Sequence, residues 1–369
     1  ALVHNGAFLL VDAINPDGTI VPELYHGMIK DIYGITKQYE PYVSGDIRHN
    51  AAVWFASHAK YDPDETGADM NSKSFGRKIY MDAPVAATSI LRANNIPYDV
   101  IGSKNIVKET ADVMILSHVA NIREEEMDAL EAYLGKGGNL YISGPIGNQR
   151  LQELLGIKIT GKTEHTFTYM SPTEEGAAYF EGFSKNVPLT VPMAQYEATL
   201  ETQEDCTVLA TLTLPYTMTG TEQFSAIHSN PPGIYTKKPC VIRKTIGKAV
   251  VIWCAAPIEL SKPYMSRQVF CGMIRSLGGE LKFESNAPKF VEILNWKKDG
   301  REYFAVINQQ EESPVAPVYD IWIKVGGNKR AVMADNSYEL HTETEEKKTV
   351  IRLPKLEIFQ IFEVKEEQL

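Results

Sequence analysis

AAVWFAS (Ala51–Ser57), DVMILSH (Asp112–His118) and NLYIS (Asn139–Ser143) are three short apolar runs inside the stretch Ala51–Asn148, and their reading decides the fold. Each is β-branched or aromatic, uninterrupted by charge, and the length of a strand buried on both faces. Between the second and third lies REEEMDALEAYL (Arg123–Leu134), whose Met127, Leu130 and Leu134 recur at helical spacing beside Ala129 and Tyr133. Strands alternating with amphipathic helices predict a parallel α/β layer. Asn121 is expected to cap this helix, with Glu124 in its first turn, and Gly135, Gly137 and Gly138 to close it.

Working outward, the 369 residues exceed one ordinary core and predict two or three domains. A composition of 44% hydrophobic and 23% charged residues is that of a globular protein. A formal charge of −10 argues against a nucleic-acid partner, which needs a basic face. No apolar run reaches the roughly 18 residues that span a bilayer, so no membrane partner is expected. Cys206, Cys240, Cys254 and Cys271 lie in or beside apolar segments without metal-ligand spacing and read as buried free thiols. The chain opens at Ala1 directly into a strand-like segment, without initiator Met or signal peptide, and reads as a piece of something longer.

Before the α/β stretch, Ala7–Val11 reads as a strand, Asn15-Pro16-Asp17-Gly18 as a tight turn, and Pro22–Tyr39 as a helix. Beyond Ser57, the carboxylate-rich Tyr61–Lys73 reads as a solvated loop; an EF-hand counted from Asp62 would need Glu where Lys73 stands. A helix opened by Asp82 and Pro84, a strand at Tyr98–Ile101, a helix at Gln149–Leu155, a strand at Cys206–Leu212, a hairpin of Pro239–Thr245 with Lys248–Cys254, and a helix at Ser266–Leu277 follow. From Phe290 the period changes to two, giving five strand candidates: Phe290–Trp296, Arg301–Asn308, Tyr319–Val325, Lys347–Leu353 and Ile358–Val364.

These segments carry two resemblances. HNGAFLLVDAINPDGTIVPELYHGMIKDI (His4–Ile32) is similar to the last βα unit of the (β/α)8 barrel in α-L-fucosidase-like glycoside hydrolases, where a GGN-LLN-PxxDGxI pattern closes the barrel; this chain departs from it at Ala7, Val11 and Asp12. The span Ala51–Gly279 resembles the class I glutamine amidotransferase-like domain that mediates trimerisation in family 42 β-galactosidases. DVMILSH, ALEAYLGKGGNLYISG and VIRKTIGKAVVIWCAAP carry the likeness. The strands after Phe290 resemble the C-terminal module of the same galactosidases. The fold so implied is α/β: residues 1–48 the last βα unit of a barrel, 49–284 an amidotransferase-like (flavodoxin/Rossmann-like) domain, and 285–369 a small antiparallel β-sandwich.

Few residues are placed to do chemistry. Asp12 follows the apolar run of the barrel-like piece, and with Asn15 would emerge at a barrel's catalytic mouth, where each could touch a carbohydrate substrate or simply brace a loop. Ser143 stands where amidotransferases carry a nucleophilic Cys; YISGP lacks the thiol and the first Gly of the elbow, and Pro145 alters the turn, so the site reads as degenerate. His58 and His118 each follow a strand without a second ligand at metal spacing, and read as structural. Gly135-Lys136-Gly137-Gly138 ends a helix and so presents no helix N-terminus to a phosphate. Trp296, Tyr303, Tyr319, Trp322 and Tyr338 could form a sugar-stacking platform or simply fill the core of the last domain. No cofactor and no metal are assigned. The expectation is the scaffold and oligomerisation portion of a glycoside hydrolase, β-galactosidase-like or α-L-fucosidase-like, without the catalytic carboxylate pair; the carbohydrate partner would be met through the remaining barrel, and a homo-oligomer is expected. The alternative is a non-catalytic carbohydrate-binding or protein-interaction module.

Overall fold

The computed structural model describes residues 1–7, 9, 14–58, 79–202, 204–217 and 230–367. The chain forms two compact units, an α/β unit of Asn50–Asn94 with Tyr98–Glu280, and a β unit of Ala1–His49, Asn95–Pro97 and Leu281–Leu369.

The α/β unit is built on a nine-stranded sheet whose first five strands, in spatial order, are Tyr98–Ile101, Ala51–Trp54, Val113–Ser117, Asn139–Ser143 and Ala249–Cys254. All four pairings among them are parallel. Numbered along the chain these strands run 2-1-3-4-5, the order of a doubly wound flavodoxin-like sheet. The apolar runs are continuous because both faces are covered, and Ala51–Trp54, Val113–Ser117 and Leu140–Ser143 are buried throughout. Antiparallel strands continue the sheet through Pro232–Ile246, Cys206–Pro215, Thr168–Pro172 and Leu189–Val191. Ile157–Lys162 and Tyr196–Leu200 form a separate ribbon.

Helix Glu124–Gly135 turns Met127, Leu130, Tyr133 and Leu134 inward, each such side chain contributing about 1.5–3 kcal/mol of burial. Its start differs from expectation. The cap position is Arg123, whose backbone N–H donates to Glu126 Oε2 at 2.9 Å, while the Asn121 carbonyl faces His58 Nε2 at 3.0 Å. The reciprocal partner three residues on is therefore Glu126, because Asn121 and Ile122 still belong to the loop. The helix around Pro84 also begins earlier, at Ile79, and takes the proline inside. Tyr264–Leu277 buries Val269, Phe270, Met273 and Ile274 on its inner face.

In the β unit a nine-stranded sheet contains the antiparallel succession Val291–Lys298, Arg301–Asn308, Phe359–Glu366, Lys329–Met333, Glu339–Glu345, Lys348–Leu356 and Val318–Gly326. Phe304 and Phe362 stack at 5.4 Å in one core with Ile321, Ile323 and Leu353 from the other end of the succession, so the sheet is folded over its own apolar face. The opposite face of Val291–Lys298, Arg301–Asn308 and Phe359–Glu366 is covered by the N-terminal segment. There Val3, Tyr39 and Val43 pack on Trp296, Tyr303 and Ile361. Trp296 stacks on Tyr303 at 5.9 Å and donates from its indole to the Tyr42 carbonyl at 2.8 Å. Both are core residues, whereas Tyr319 and Tyr338 are exposed. The expected platform is thus divided between core and surface.

Candidate functional site

In doubly wound sheets ligands bind outside the carboxyl ends of the strands. At that edge of the α/β unit, Ser117-His118, Ser143-Gly144 and Cys254 end adjacent strands, and the short 3-10 turn Ile258–Leu260 brings Glu259 among them. Ser143 Oγ donates to Glu259 Oε1 at 2.6 Å, and the Tyr141 hydroxyl donates to Oε2 at 3.2 Å. Burial pushes the Glu259 carboxyl above the ordinary range, against the opposing effect of the Ser143 hydroxyl. Burial likewise raises the Cys254 thiol to about 12, so this sulfur is no thiolate near neutral pH. Tyr141 is raised well above its ordinary value by burial and then by the nearby Glu259.

The pairing of a hydroxyl with a carboxylate is the raw material of an activated nucleophile, but a nucleophile must be approached to roughly 3–3.5 Å by its substrate. Ser143 is 0% exposed and Glu259 1%. The cluster is closed above by His118, whose backbone sits at φ 53° with its N–H donating to the Ser143 carbonyl at 3.0 Å. Gly144 has φ 82°, and a Cβ there would lie 2.5 Å from His118 Nδ1, so only glycine fits. Trp253 Nε1 donates to the Gly144 carbonyl at 3.0 Å. The arrangement holds the Glu259 carboxyl in place and encloses the Ser143 hydroxyl. Glu259 was not singled out from sequence; its signal is a lone carboxylate closing the otherwise apolar run Ala249–Leu260.

His58, on the strand end next to the switch point, lies 3.5 Å from Glu126 Oε2 and braces the helix start. Gly135–Gly138 ends its helix as expected: the Gly137 and Gly138 N–H groups return to the Leu134 and Tyr133 carbonyls at 2.8 and 3.1 Å. A cavity of about 450 Å³ opens there, lined by Glu109, Asp112, Tyr133 and Lys136, at the amino ends of the strands and away from the ligand-binding edge.

Asp12 lies outside the described residues, as do Tyr61–Lys73 and most of the Ala7–Val11 run. Asn15 is exposed on its turn, where Nδ2 donates to Thr19 Oγ1 at 3.0 Å and the carbonyl accepts from Gly18 N–H at 2.8 Å. Asp17 Oδ1 receives the Thr19 hydroxyl at 2.6 Å and its N–H at 3.0 Å, which holds that carboxyl below the usual range. Ser143 belongs to the α/β unit and Asn15 to the β unit.

No protein-family profile and no curated protein matches this sequence. Solved structures do. The fold is that of a portion of glycoside hydrolases. The α-L-fucosidase isoenzyme 2 of Paenibacillus thiaminolyticus superposes with a TM-score of 0.69 at 17% identity, over 97% of this chain and 54% of that one. The β-galactosidase of Bacillus circulans sp. alkalophilus gives 0.61 at 13% identity over 95% of this chain and 46% of that one. Gan42B, a GH42 β-galactosidase from G. stearothermophilus, gives 0.61 at 13% over 95% and 45%. The chain thus spans about half the length of the enzymes whose fold it shares.

Proposed function

We propose that this chain is the scaffolding and oligomerisation portion of a longer glycoside hydrolase acting on β-galactosidic or α-L-fucosidic bonds. The observation that carries the reading is a fold likeness running over nearly all of this chain yet covering only half of each hydrolase. In this reading residues 1–48 are the last βα unit of the catalytic barrel, residues 49–284 an amidotransferase-like domain emptied of thiol chemistry, and residues 285–369 the closing β domain. Two features support it. The helical span Leu24–Lys37 buries none of its residues, and Met28 stands 58% exposed, apolar surface that neighbouring barrel helices would cover. At the elbow position Ser143 is sealed against Glu259.

Hydrolysis of a glycosidic bond needs an acid and a second carboxylate facing each other across it, and one βα unit supplies no such pair. The isolated chain should therefore turn over aryl β-D-galactosides and α-L-fucosides only at background rate. Activity that follows the protein through purification refutes the reading. In the intact parent, Asp12 and Asn15 would stand at the barrel mouth and bind sugar hydroxyls. Asp12→Asn should then lower kcat/KM by about tenfold or more, the loss of one charge-assisted hydrogen bond, with the melting temperature held. Unchanged kinetics would return Asp12 to a structural role.

A further inference from the structure

The β unit holds a second concavity, of about 610 Å³, that none of the foregoing uses. Its wall is Tyr39 edge-on to Phe359 at 5.0 Å, and its rim is Tyr338 and Ile358, which stand 62% and 64% exposed. Such apolar side chains around one opening lose no water in the unliganded protein and leave flat surface for a ligand. Polar groups converge on the same space. The turn after Lys329–Met333 brings in Asp335 and Asn336, and its shape is fixed locally: Asn336 Oδ1 accepts from Tyr338 N–H at 2.9 Å, and Met333 N–H donates to the Tyr338 carbonyl at 2.8 Å. The Asn336 amide nitrogen donates to no group among the described residues. Asp335 lies close enough to Tyr39 that its charge, after burial, helps raise the phenol. Gln360 also lines the concavity, but its Oε1 is closed off from that space.

We infer that this concavity is a binding site for a neutral saccharide, a pyranose unit stacking its C–H face on Tyr338 while its hydroxyls meet Asp335 and Asn336. A pyranose matches this lining: an apolar face for the rings, and hydroxyls that donate to the Asp335 carboxylate and accept from the Asn336 amide. Phosphorylated ligands fit badly. The one cation of the lining, Lys355, is engaged by Glu357 at 2.6 Å, and Asp335 leaves the net charge negative. The site stands on this geometry and does not depend on the parent being a hydrolase.

Saturation-transfer NMR on the full chain with D-galactose, L-fucose and lactose tests it. At least one should receive saturation on its ring protons, with a Kd on the order of 1 mM, as expected for so small a ligand. Tyr338→Ala should weaken that binding by about fivefold, the worth of one ring stack, while the exposed position leaves the melting temperature unchanged. Asp335→Asn keeps the shape and removes the charged acceptor; it should weaken binding by about tenfold while the melting temperature holds, a combination that a structural role for Asp335 would not give. Absence of transfer to all three sugars overturns the inference. Transfer that persists undiminished in both variants does so too, since the sugar would then bind elsewhere.

Discussion

At the scale of the residue, Glu259 makes the sharpest claim. A carboxyl raised by burial binds its proton more tightly folded than unfolded, so its contribution is full below the unfolded value and is lost as pH rises through the folded one. Exposed carboxyls such as Glu343, lowered to about 2 by Arg352, slope the other way, which makes the raw pH profile of the protein ambiguous. Comparison with Glu259→Gln isolates the effect: the melting temperature of the parent protein minus that of the variant should be greatest in acid and shrink toward neutral pH. A difference that is flat or grows with pH would show that burial does not raise the Glu259 carboxyl. Trp296 makes a claim of size. It is fully enclosed under the N-terminal segment, so Trp296→Ala should destabilise the β unit by about 3–5 kcal/mol, read by chemical denaturation. Sequence alternation had left Trp296 open between core and sugar platform, because a strand buried on both faces gives an inward and an outward residue the same surroundings.

At the scale of the element, boundaries set by the chain's own chemistry were legible and pairings imposed from afar were not. Asn139–Ser143, Gln149–Leu155 and Arg301–Asn308 lie where the sequence reading put them. Asn148, unread as a cap, accepts at Oδ1 from Leu151 N–H at 3.3 Å. Lys329–Met333 and Glu339–Glu345 passed unread. They carry Arg330, His341 and Glu343 on open faces and bury little beyond Ala331, Met333 and Leu340, so no apolar alternation marks them although they pair locally, Ala331 with Leu340 and Glu345 with Lys348. The candidate site was half legible: the strand end at Ser143 showed in the sequence, but Glu259 arrives from 116 residues away. Two element ends can be tested. Glu126→Ala deletes the carboxylate that accepts the Arg123 N–H and should cost about 1 kcal/mol, visible as a small fall in melting temperature. Gly144→Ala must fit a Cβ against His118 at φ 82° and should cost about 1–3 kcal/mol. Full stability in the alanine variant would mean that the turn adapts, and the sealing of Ser143 with it.

At the scale of the whole molecule, the proposed scaffold role requires the α/β unit to meet a second copy of itself. Strand addition at the sheet edges is a poor route, because the edge strands Tyr98–Ile101 and Leu189–Val191 have only four and three residues. A side-chain face is better placed. On helix Ile79–Ala93, Met81 and Val85 are one turn apart and exposed while Ala83, Ala87, Ile90 and Leu91 face inward, so the helix carries apolar residues on its outer side too. A closed symmetric assembly that uses this face would bury Val85 in each protomer, as heterologous or isologous contacts do in homo-oligomers. Light scattering on a size-exclusion column at about 10–100 μM protein, in the range where moderate homo-oligomers persist, should then give a mass that is a multiple of the chain's 41.2 kDa. Val85→Glu, which would place an unpaired carboxylate in that contact, should return the mass to that of one chain without lowering the melting temperature of the monomer. A monomer at the highest concentration would remove oligomerisation from the proposed role, and an oligomer indifferent to Val85→Glu would move the interface to another face.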